Sequence, residues 1–443
     1  MKNFTLTLLI SVITLLLCAC MSEKLADQEK IADEIKKSID DAIRLKHRPS
    51  IVIGLHNQHG EFYYAKGKKS IDAEQVIDSK TQFGIGSVTK LFTTTLMSKM
   101  VNEHEGLTID TSAKDITDVT TSMVTLKELA LHKGGLAKTI PVDVLQANVR
   151  EQLLNLLPAK GVLKSQYSNI GMAVLGQLLS TYEQKTLDRL MQNYITKPWQ
   201  LDSVSYLPEP QQLAHSHLNM QDISEQKINT PTVAYGAGGL YANAEDLLAF
   251  VVKHMQAGVA DKDNWASALF GQNFSYETPL GWKHHDSRNG RVYYHGGDGN
   301  GYQAFVGFNP SKKVAVVLLT NSSADDDLQN LALAIFDEAV SVPDFSSNPV
   351  IPFDMEKFPP FIGQYHLVDE PNGNVITFAQ ENGQLLYIEE TSSGELVRKT
   401  RLYSTHDHVL FMKELPIEIN ILGSHNISMS FGGEIYPLQR VKQ

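Results

Sequence analysis

Apolar residues recur at helical spacing between Glu23 and Leu45 (Leu25, Ile31, Ile35, Ile39 and Ile43, set among Lys, Asp and Glu), which predicts an amphipathic surface helix. Two short runs rich in Ile, Val and Tyr follow, Ser50 to His56 and Glu61 to Lys66. They flank Asn57-Gln58-His59-Gly60 and predict a β-hairpin. From about Thr81 to Tyr194 the pattern turns helical, most clearly over Leu91 to Met100 and Gly171 to Tyr182. Strand signals return at Leu280. Trp282 to His285 and Arg291 to His295 surround Asn289-Gly290, and Tyr302 to Phe308 and Val314 to Thr320 surround Asn309-Pro310. Asp325 to Val340 then reads as a closing helix. Strands first, helices in the middle, strands and a helix last: this order predicts an α+β domain. One antiparallel sheet is built from both ends of it and flanked by helices, with an all-helical insertion between.

The pattern breaks at Val342 to Pro349, where Pro, Ser, Asp and Asn cluster. From Phe361 to Leu438 short alternating segments are punctuated by Asn372-Gly373, Asn382-Gly383, Ser393-Gly394 and Gly432-Gly433. That spacing predicts a second, all-β module, a meander of about seven or eight strands.

A length of 443 residues fits two domains behind a leader. The formal net charge of -11 argues against nucleic-acid binding, which needs a basic surface. No run of Lys or Arg suggests a polybasic membrane patch. At the N-terminus Lys2 precedes an uncharged apolar run from Phe4 to Leu17, the length of a signal-peptide core. Leu17-Cys18-Ala19-Cys20 closes it and resembles the bacterial lipoprotein box, in which a small residue precedes the lipidated cysteine. Cys20 fits that pattern and Cys18 does not. The expected division is therefore 1–20 lipoprotein signal peptide, 21–345 main domain and 350–443 all-β domain. An uncleaved membrane anchor is the alternative, and either way the body lies outside the cytoplasm. Met21, where Asp would favour the inner membrane, points to the periplasmic face of a Gram-negative outer membrane, with membrane contact through the lipid anchor only. Both cysteines lie in this leader, so the mature domains have no disulfide, no thiol nucleophile and no thiolate metal site.

Three clusters carry candidate chemistry. The first is Phe83-Gly84-Ile85-Gly86-Ser87-Val88-Thr89-Lys90, running into Leu91-Phe92-Thr93-Thr94. Ser87 and Lys90 are three apart at a helix start, so their side chains face the same way. A serine hydroxyl attacks poorly until a base takes its proton, and a buried lysine near a phenol or another cation is neutral enough to serve. The helix N-terminus adds partial positive charge where an oxyanion forms. Ser224-Glu225-Gln226-Lys227 has the same spacing, but it lies in a polar stretch before Pro231 with no apolar helix behind it, and reads as a solvated loop. For Ser87 the bland alternative is an N-cap serine beside a surface lysine.

The second cluster is Tyr167-Ser168-Asn169, ahead of Ile170-Gly171-Met172-Ala173. A tyrosine placed against Lys90 can relay a proton, and Asn169 is a candidate to hydrogen-bond Lys90 and a substrate amide. Tyr241-Ala242-Asn243 repeats the spacing, but Asn243 precedes Ala244-Glu245-Asp246-Leu247 and reads as a helix N-cap. The third cluster is Tyr294-His295-Gly296-Gly297-Asp298-Gly299 at a strand end. Glycines there let a substrate backbone lie alongside, and the Asp298 amide is a candidate to join the Ser87 amide as oxyanion donors. Taken alone, His295 is more simply a packed or exposed turn histidine.

In this order the clusters resemble the serine β-lactamase and penicillin-binding-protein superfamily, in the branch that holds class C β-lactamases, D-Ala-D-Ala carboxypeptidases, related esterases and D-aminopeptidases. The likeness runs from about residue 35 to 340 and includes Leu131-His132-Lys133-Gly134-Gly135-Leu136, Gly236-Ala237-Gly238-Gly239-Leu240 and Leu280-Gly281-Trp282. It implies that Ser87 is acylated, that Lys90 and Tyr167 share the proton transfers, with Tyr167 activating the deacylating water, and that Asn169 orients the substrate. His295, Gly296 and Gly297, with Asp298 beside them, take the place of the family's Lys-Thr-Gly strand. No cofactor and no metal are implied. The C-terminal module resembles the lipocalin-like barrels that some members append, either roofing the cleft or acting as a passive stabilising domain.

Position 295 departs from the β-lactam-hydrolysing members. A lysine there would offer a standing cation to the carboxylate of penicillins and D-Ala termini, whereas histidine near pH 7 is mostly neutral. Gly296 also lacks the threonine hydroxyl. Lys133-Gly134 is a second departure, standing where relatives carry small hydroxylated residues. The expectation is a serine hydrolase working through an acyl-enzyme on an amide, peptide or ester bond of a small-molecule or peptide substrate. The rival reading is a catalytically silent lipoprotein that keeps the penicillin-binding fold for peptidoglycan contact. Intact Ser87, Lys90 and Tyr167 favour the enzyme. The sequence holds neither a Gly-x-Ser-x-Gly elbow nor a His-Glu-x-x-His pair, and His215-Ser216-His217 reads as part of a polar loop.

Overall fold

The computed structural model of the chain describes residues 30–441 apart from 219–220, 225–229, 258–264, 324–326, 338, 346–349, 351–359, 382–383, 407, 413–416, 424–425 and 432–433. The leader with Cys20, the first part of the expected surface helix and Lys227 lie outside the described residues. Helix α1 (Asp33–Arg44) turns Ile35, Ile39 and Ala42 inward and leaves its charged face to solvent. Strands β1 (Ser50–Asn57) and β2 (Gly60–Gly67) form the expected hairpin, closed at the Asn57–Gly60 pair.

The remaining strands of the main sheet come from the far end of the domain: β3 (Lys283–Ser287), β4 (Gly290–Gly299), β5 (Tyr302–Asn309) and β6 (Val314–Thr320). The six-stranded order is β2-β1-β6-β5-β4-β3, antiparallel throughout. The pairing of β1 with β6, Ile53 opposite Leu318, joins the two ends of the domain. Strands β5 and β6 are buried along their whole length because the sheet is covered on both faces. Ile51, Ile53 and Leu55 pack on one side with α1 and the closing helix (Asp327–Phe336), while Val52 faces the other.

That other side holds the helical insertion. Helix α2 (Thr89–Glu103) is buried on nearly all sides, so it runs through the centre of the domain and not over its surface. Its hydroxyls are satisfied by backbone, as with Thr93 donating to Gly236 O at 2.8 Å. Helix α3 (Asn169–Glu183) packs beside it, and Asn243 caps the helix Ala244–Ala257 as expected, its Oδ1 accepting the Asp246 N–H at 2.8 Å.

Eight strands, from Gly363–Leu367 to Glu434–Arg440, then make a closed barrel in which each strand pairs with the next and the last returns to the first at Tyr365 and Arg440. Tyr365, Phe378, Tyr387, Leu402 and Ile419 fill its interior. Tyr403 and Phe411 point the other way, packing with Val350 and Ile71, so the barrel sits against the main domain.

One expectation changes. His217 is no loop residue: it lies fully buried in a two-residue strand paired with Ser322. Its Nε2 accepts the Ile71 N–H at 3.2 Å and its Nδ1 faces the Asn321 carbonyl at 3.1 Å, which satisfies a neutral ring. No helix among the described residues is long and apolar enough to cross a membrane.

Candidate active site

The strand Phe83–Gly84 pairs with Tyr241–Ala242 and leads into a tight turn at Gly86, whose φ of 49° suits glycine. The turn places Ser87 in a single 3-10 turn, Gly86–Val88, which feeds directly into α2. Lys90, in the first turn of α2, then rises beside the serine.

The structure brings all three reactive side chains together. Lys90 Nζ lies 2.8 Å from Ser87 Oγ, and the Tyr167 hydroxyl lies 2.7 Å from the same oxygen. The Lys90 amine also sits 5.0 Å from the centre of the Tyr167 ring. Lys90 is 1% exposed, and its burial, with the Lys283 charge adding to it, brings the amine down to about 7. Burial moves the Tyr167 phenol upward, against the hydrogen bond with Ser87. Near neutral pH the pair is therefore an amine that is partly free to accept a proton and a phenol that keeps its own.

Tyr167 is positioned from two sides. Ser168 caps α3 by accepting the Gly171 N–H at 2.9 Å and donates to Ala137 O at 2.6 Å. His132, with φ of 58°, lays its ring 4.7 Å from that of Tyr167 and accepts the Ser168 N–H at Nδ1. Burial, then the Lys90 and Lys283 charges, hold His132 down to about 4, so it is a neutral wall.

Asn169 lines the cleft, but the expected hydrogen bond to Lys90 is not made. The Lys90 amine donates instead to Ala237 O at 2.7 Å, within the Gly236 to Leu240 segment. That segment fits against α3 through glycine: a Cβ on Gly236 would sit 2.3 Å from Met172 O. A backbone carbonyl leaves no residue signature, which is why sequence reasoning did not find it. The nearest clue was the glycine-rich run itself.

The third cluster forms the opposite wall. His295 is 2% exposed, and burial, followed by the Lys90 and Lys283 charges, takes it down to about 3. Its Nδ1–H donates to Gly296 O at 2.6 Å, leaving Nε2 as a lone pair. It is not a standing cation. Gly297 carries the strand past the serine turn, where an added Cβ would meet Ile85 O at 2.0 Å and Ser87 N at 3.2 Å; a Cβ on Gly86 would meet Asp298 N at 2.9 Å. The Asp298 backbone is thus pressed against the serine turn, and its carboxylate accepts from Ser323 at 2.7 Å. Gly297→Ala must push β4 off that turn. We expect a loss of at least about 100-fold in turnover, with a lowered melting temperature; unchanged rates would show that the contact does not position the site.

Ser87, Tyr167, Asn169 and His295 to Asp298 line one cleft of about 650 Å³ with Lys138, Lys283, Gln303 and residues of the barrel. Lys283 was missed by sequence reasoning although it directly follows Leu280-Gly281-Trp282. The Ser224 copy of the spacing lies apart from this cluster, tied to Asp222 at 2.5 Å and His215 at 3.2 Å, whereas Tyr241 lines a neighbouring pocket that also reaches Ser87. Among the described residues no group of His, Cys, Asp or Glu is arranged as a metal site.

Several known proteins resemble this chain. The chain is 23% identical over 322 residues to the D-alanyl-D-alanine-carboxypeptidase/endopeptidase AmpH of Escherichia coli (strain K12), covering 65% of this chain and 83% of that protein. It is 21% identical over 317 residues to a β-lactamase of Providencia stuartii, covering 61% and 81%. The class C β-lactamase of Rhodobacter sphaeroides superposes with a TM-score of 0.58 at 20% identity, over 69% of this chain and 98% of that one, which shows a shared fold. The sequence profile of the family described as Beta-lactamase matches residues 35–339, the stretch that builds the sheet, the helical insertion and all three clusters. With its serine, lysine and tyrosine meeting inside that matched stretch, the chain belongs to the Beta-lactamase family.

Proposed function

We propose that this protein is a serine hydrolase that cleaves an amide, peptide or ester bond through an acyl-enzyme on Ser87. Family membership supports hydrolysis of that bond class. The observation that carries the residue assignment is that Lys90 Nζ and the Tyr167 hydroxyl both lie within hydrogen-bonding distance of Ser87 Oγ at the edge of one cleft.

In this reading the neutral Lys90 amine takes the proton of Ser87 as Oγ attacks the carbonyl carbon. Charge develops on the carbonyl oxygen beside the Ser87 and Asp298 amides. The Tyr167 hydroxyl then passes a proton to the leaving nitrogen or oxygen and is reprotonated from Lys90, which restores the amine. Water attacks the acyl-enzyme, losing its proton along the same path, and releases the acid. His295, buried and neutral, orients the strand end and supplies no charge.

Parallel labelling with a fluorophosphonate and a fluorescent penicillin tests the reading, with Ser87→Ala as control. Ser87-dependent labelling by either probe is expected. Labelling by neither would leave a silent binding protein as the better description.

We also propose that Cys20 carries a lipid anchor on the periplasmic side of the outer membrane, supported by the leader pattern. Cys20→Ser is expected to move the protein from the membrane pellet to the soluble extract; an unchanged pellet fraction would refute the anchor.

A further inference from the structure

The segment 156–166 leaves apolar side chains in solvent although its backbone is firmly held. On one side the Met123 N–H donates to Ala159 O at 2.8 Å, and Ser122 Oγ donates to Pro158 O. On the other, the Val162 N–H donates to Lys133 O at 2.7 Å, Ser165 Oγ to Leu131 O at 2.8 Å and the Gln166 N–H to His132 O at 2.9 Å. Gly161 is drawn in so tightly that an added Cβ would sit 2.5 Å from Glu128 Oε1 and 2.8 Å from Lys133 O. The tip that follows stands out from the surface. Leu163 is 97% exposed and Val162 44%, and Met123, bonded to the same segment, is 50% exposed.

The charge around this tip is one-sided. In a chain of net charge -11, residues 131–166 hold five cations (Lys133, Lys138, Arg150, Lys160 and Lys164) against two carboxylates, Asp143 and Glu151. Both carboxylates sit on the short helices between the two segments that meet at the tip. Lys138, Lys160 and Lys164 are exposed and Lys133 is half-buried. None of the four lysines forms an ion pair among the described residues. Glu128, packed beneath Gly161, is engaged by the Thr125 N–H and hydroxyl. The lysines are too widely spaced to read as a basic run in the sequence; the bond between Val162 and Lys133 gathers them.

We propose that segment 156–166 seats the protein on a bilayer surface that carries anionic phospholipid headgroups, a membrane contact separate from any anchor at Cys20. Leu163 and Val162 enter the interface, and Lys133, Lys160 and Lys164 meet the phosphates. Lysine stems lie along apolar side chains while their ammonium groups reach outward, so a projecting apolar tip rimmed by lysines matches such a surface in both shape and charge. A protein partner fits it less well. A standard interface takes about 20 to 30 residues from each side, and a few apolar side chains on a projecting tip supply no such core. The tip also gives the seated protein a direction. Its chain runs straight into Tyr167, and Lys138, whose carbonyl accepts the Asn169 N–H at 2.9 Å, lines the cleft of Ser87. Seating the tip therefore brings that side of the cleft toward the headgroups.

The experiment reconstitutes the full chain into vesicles of phosphatidylcholine alone or mixed with phosphatidylglycerol, so that its apolar leader tethers it in every arm and only the seating differs. The reporter is Leu163→Trp, read as a difference from the wild type to remove Trp199, Trp265 and Trp282. Leu422→Trp, at a position 67% exposed on the barrel, is the control. With phosphatidylglycerol present, the Leu163→Trp signal is expected to move to shorter wavelength. It is expected to fall at least about twofold when the lipids are brominated on their acyl chains, the Leu422→Trp signal staying unchanged. Changing Lys133, Lys160 and Lys164 together to Gln is expected to remove most of that quenching, and raised salt to do the same. Melting curves check that each variant folds, and Val162→Trp serves as reporter should Leu163→Trp not. Equal quenching in the two kinds of vesicle, quenching no greater than at position 422, or quenching that survives loss of the three lysines would each overturn the proposal. So would a shift produced by soluble polyphosphate and not by vesicles, which would give the tip to an anionic polymer. Labelling of Ser87 plays no part in the readout, so the hydrolase reading stands or falls separately.

Discussion

Ser87→Ala is expected to bring hydrolysis down by at least about 10⁴-fold, because a methyl group cannot form the acyl-enzyme and the neighbouring groups have nothing left to activate. The fold is expected to persist. Ser87 is half-buried and its oxygen bonds only Lys90 and Tyr167 among the described residues, so the loss of stability stays below about 2 kcal/mol. Lys90 keeps its bond to Ala237 O. Steady-state kinetics on any ester turned over by the wild type, with a melting curve, checks both halves. A variant that retains more than about a tenth of the activity would move the chemistry elsewhere.

Lys90→Met is expected to lower kcat/KM by about 10² to 10⁴-fold, the range of a positioned general base. Methionine keeps the length and packing of a side chain that is 1% exposed. The pH profile then separates the lysine's role from a structural one. With the amine at about 7, its protonated form dominates below that pH and cannot accept the serine proton. The wild-type rate is therefore expected to rise with pH through about 7 and level off, and Lys90→Met is expected to lose that limb. Tyr167 cannot supply it, because burial moves the phenol further above its ordinary value. Stability changes in the matching direction. The folded amine gives up its proton at about 7 while an unfolded lysine holds it to 10.5. The unfolded chain binds more protons in that window, so wild-type stability rises as pH goes from 7 to 10.5 and the methionine variant loses this slope. A wild-type profile flat between pH 6 and about 8 would contradict the assignment of Lys90 as base.

Much of this architecture is legible in the chain because it is written locally. The hairpins around Gln58-His59 and Asn289-Gly290, and the cap at Asn243, depend on a few adjacent residues whose turn and capping chemistry is unambiguous. Ser87 and Lys90 are likewise neighbours on one helix start. What the sequence hides is set by distant packing. Ala237 holds Lys90 through a main-chain carbonyl, so the Asn169 side chain, which the motif order suggested for that bond, is left facing the cleft. His217 reads as polar from its neighbours but is buried by strand pairing with Ser322, far along the chain. Arg401 is a strand residue among other charged residues. It lines the cleft with Ser87 because the barrel's outer face docks there.

The barrel also joins two observations that stand apart in sequence. His295 removes a charge from the catalytic strand, and Arg401 and Lys283 bring charge to the same cleft from elsewhere.

Trapping the covalent intermediate tests the central assignment most directly. Acid quenching of the enzyme during turnover of a slow ester, followed by intact mass and peptide mapping, is expected to show one acyl group on the peptide that contains Ser87, and none in Ser87→Ala. An acyl group on any other residue, or one that survives the alanine substitution, would contradict it.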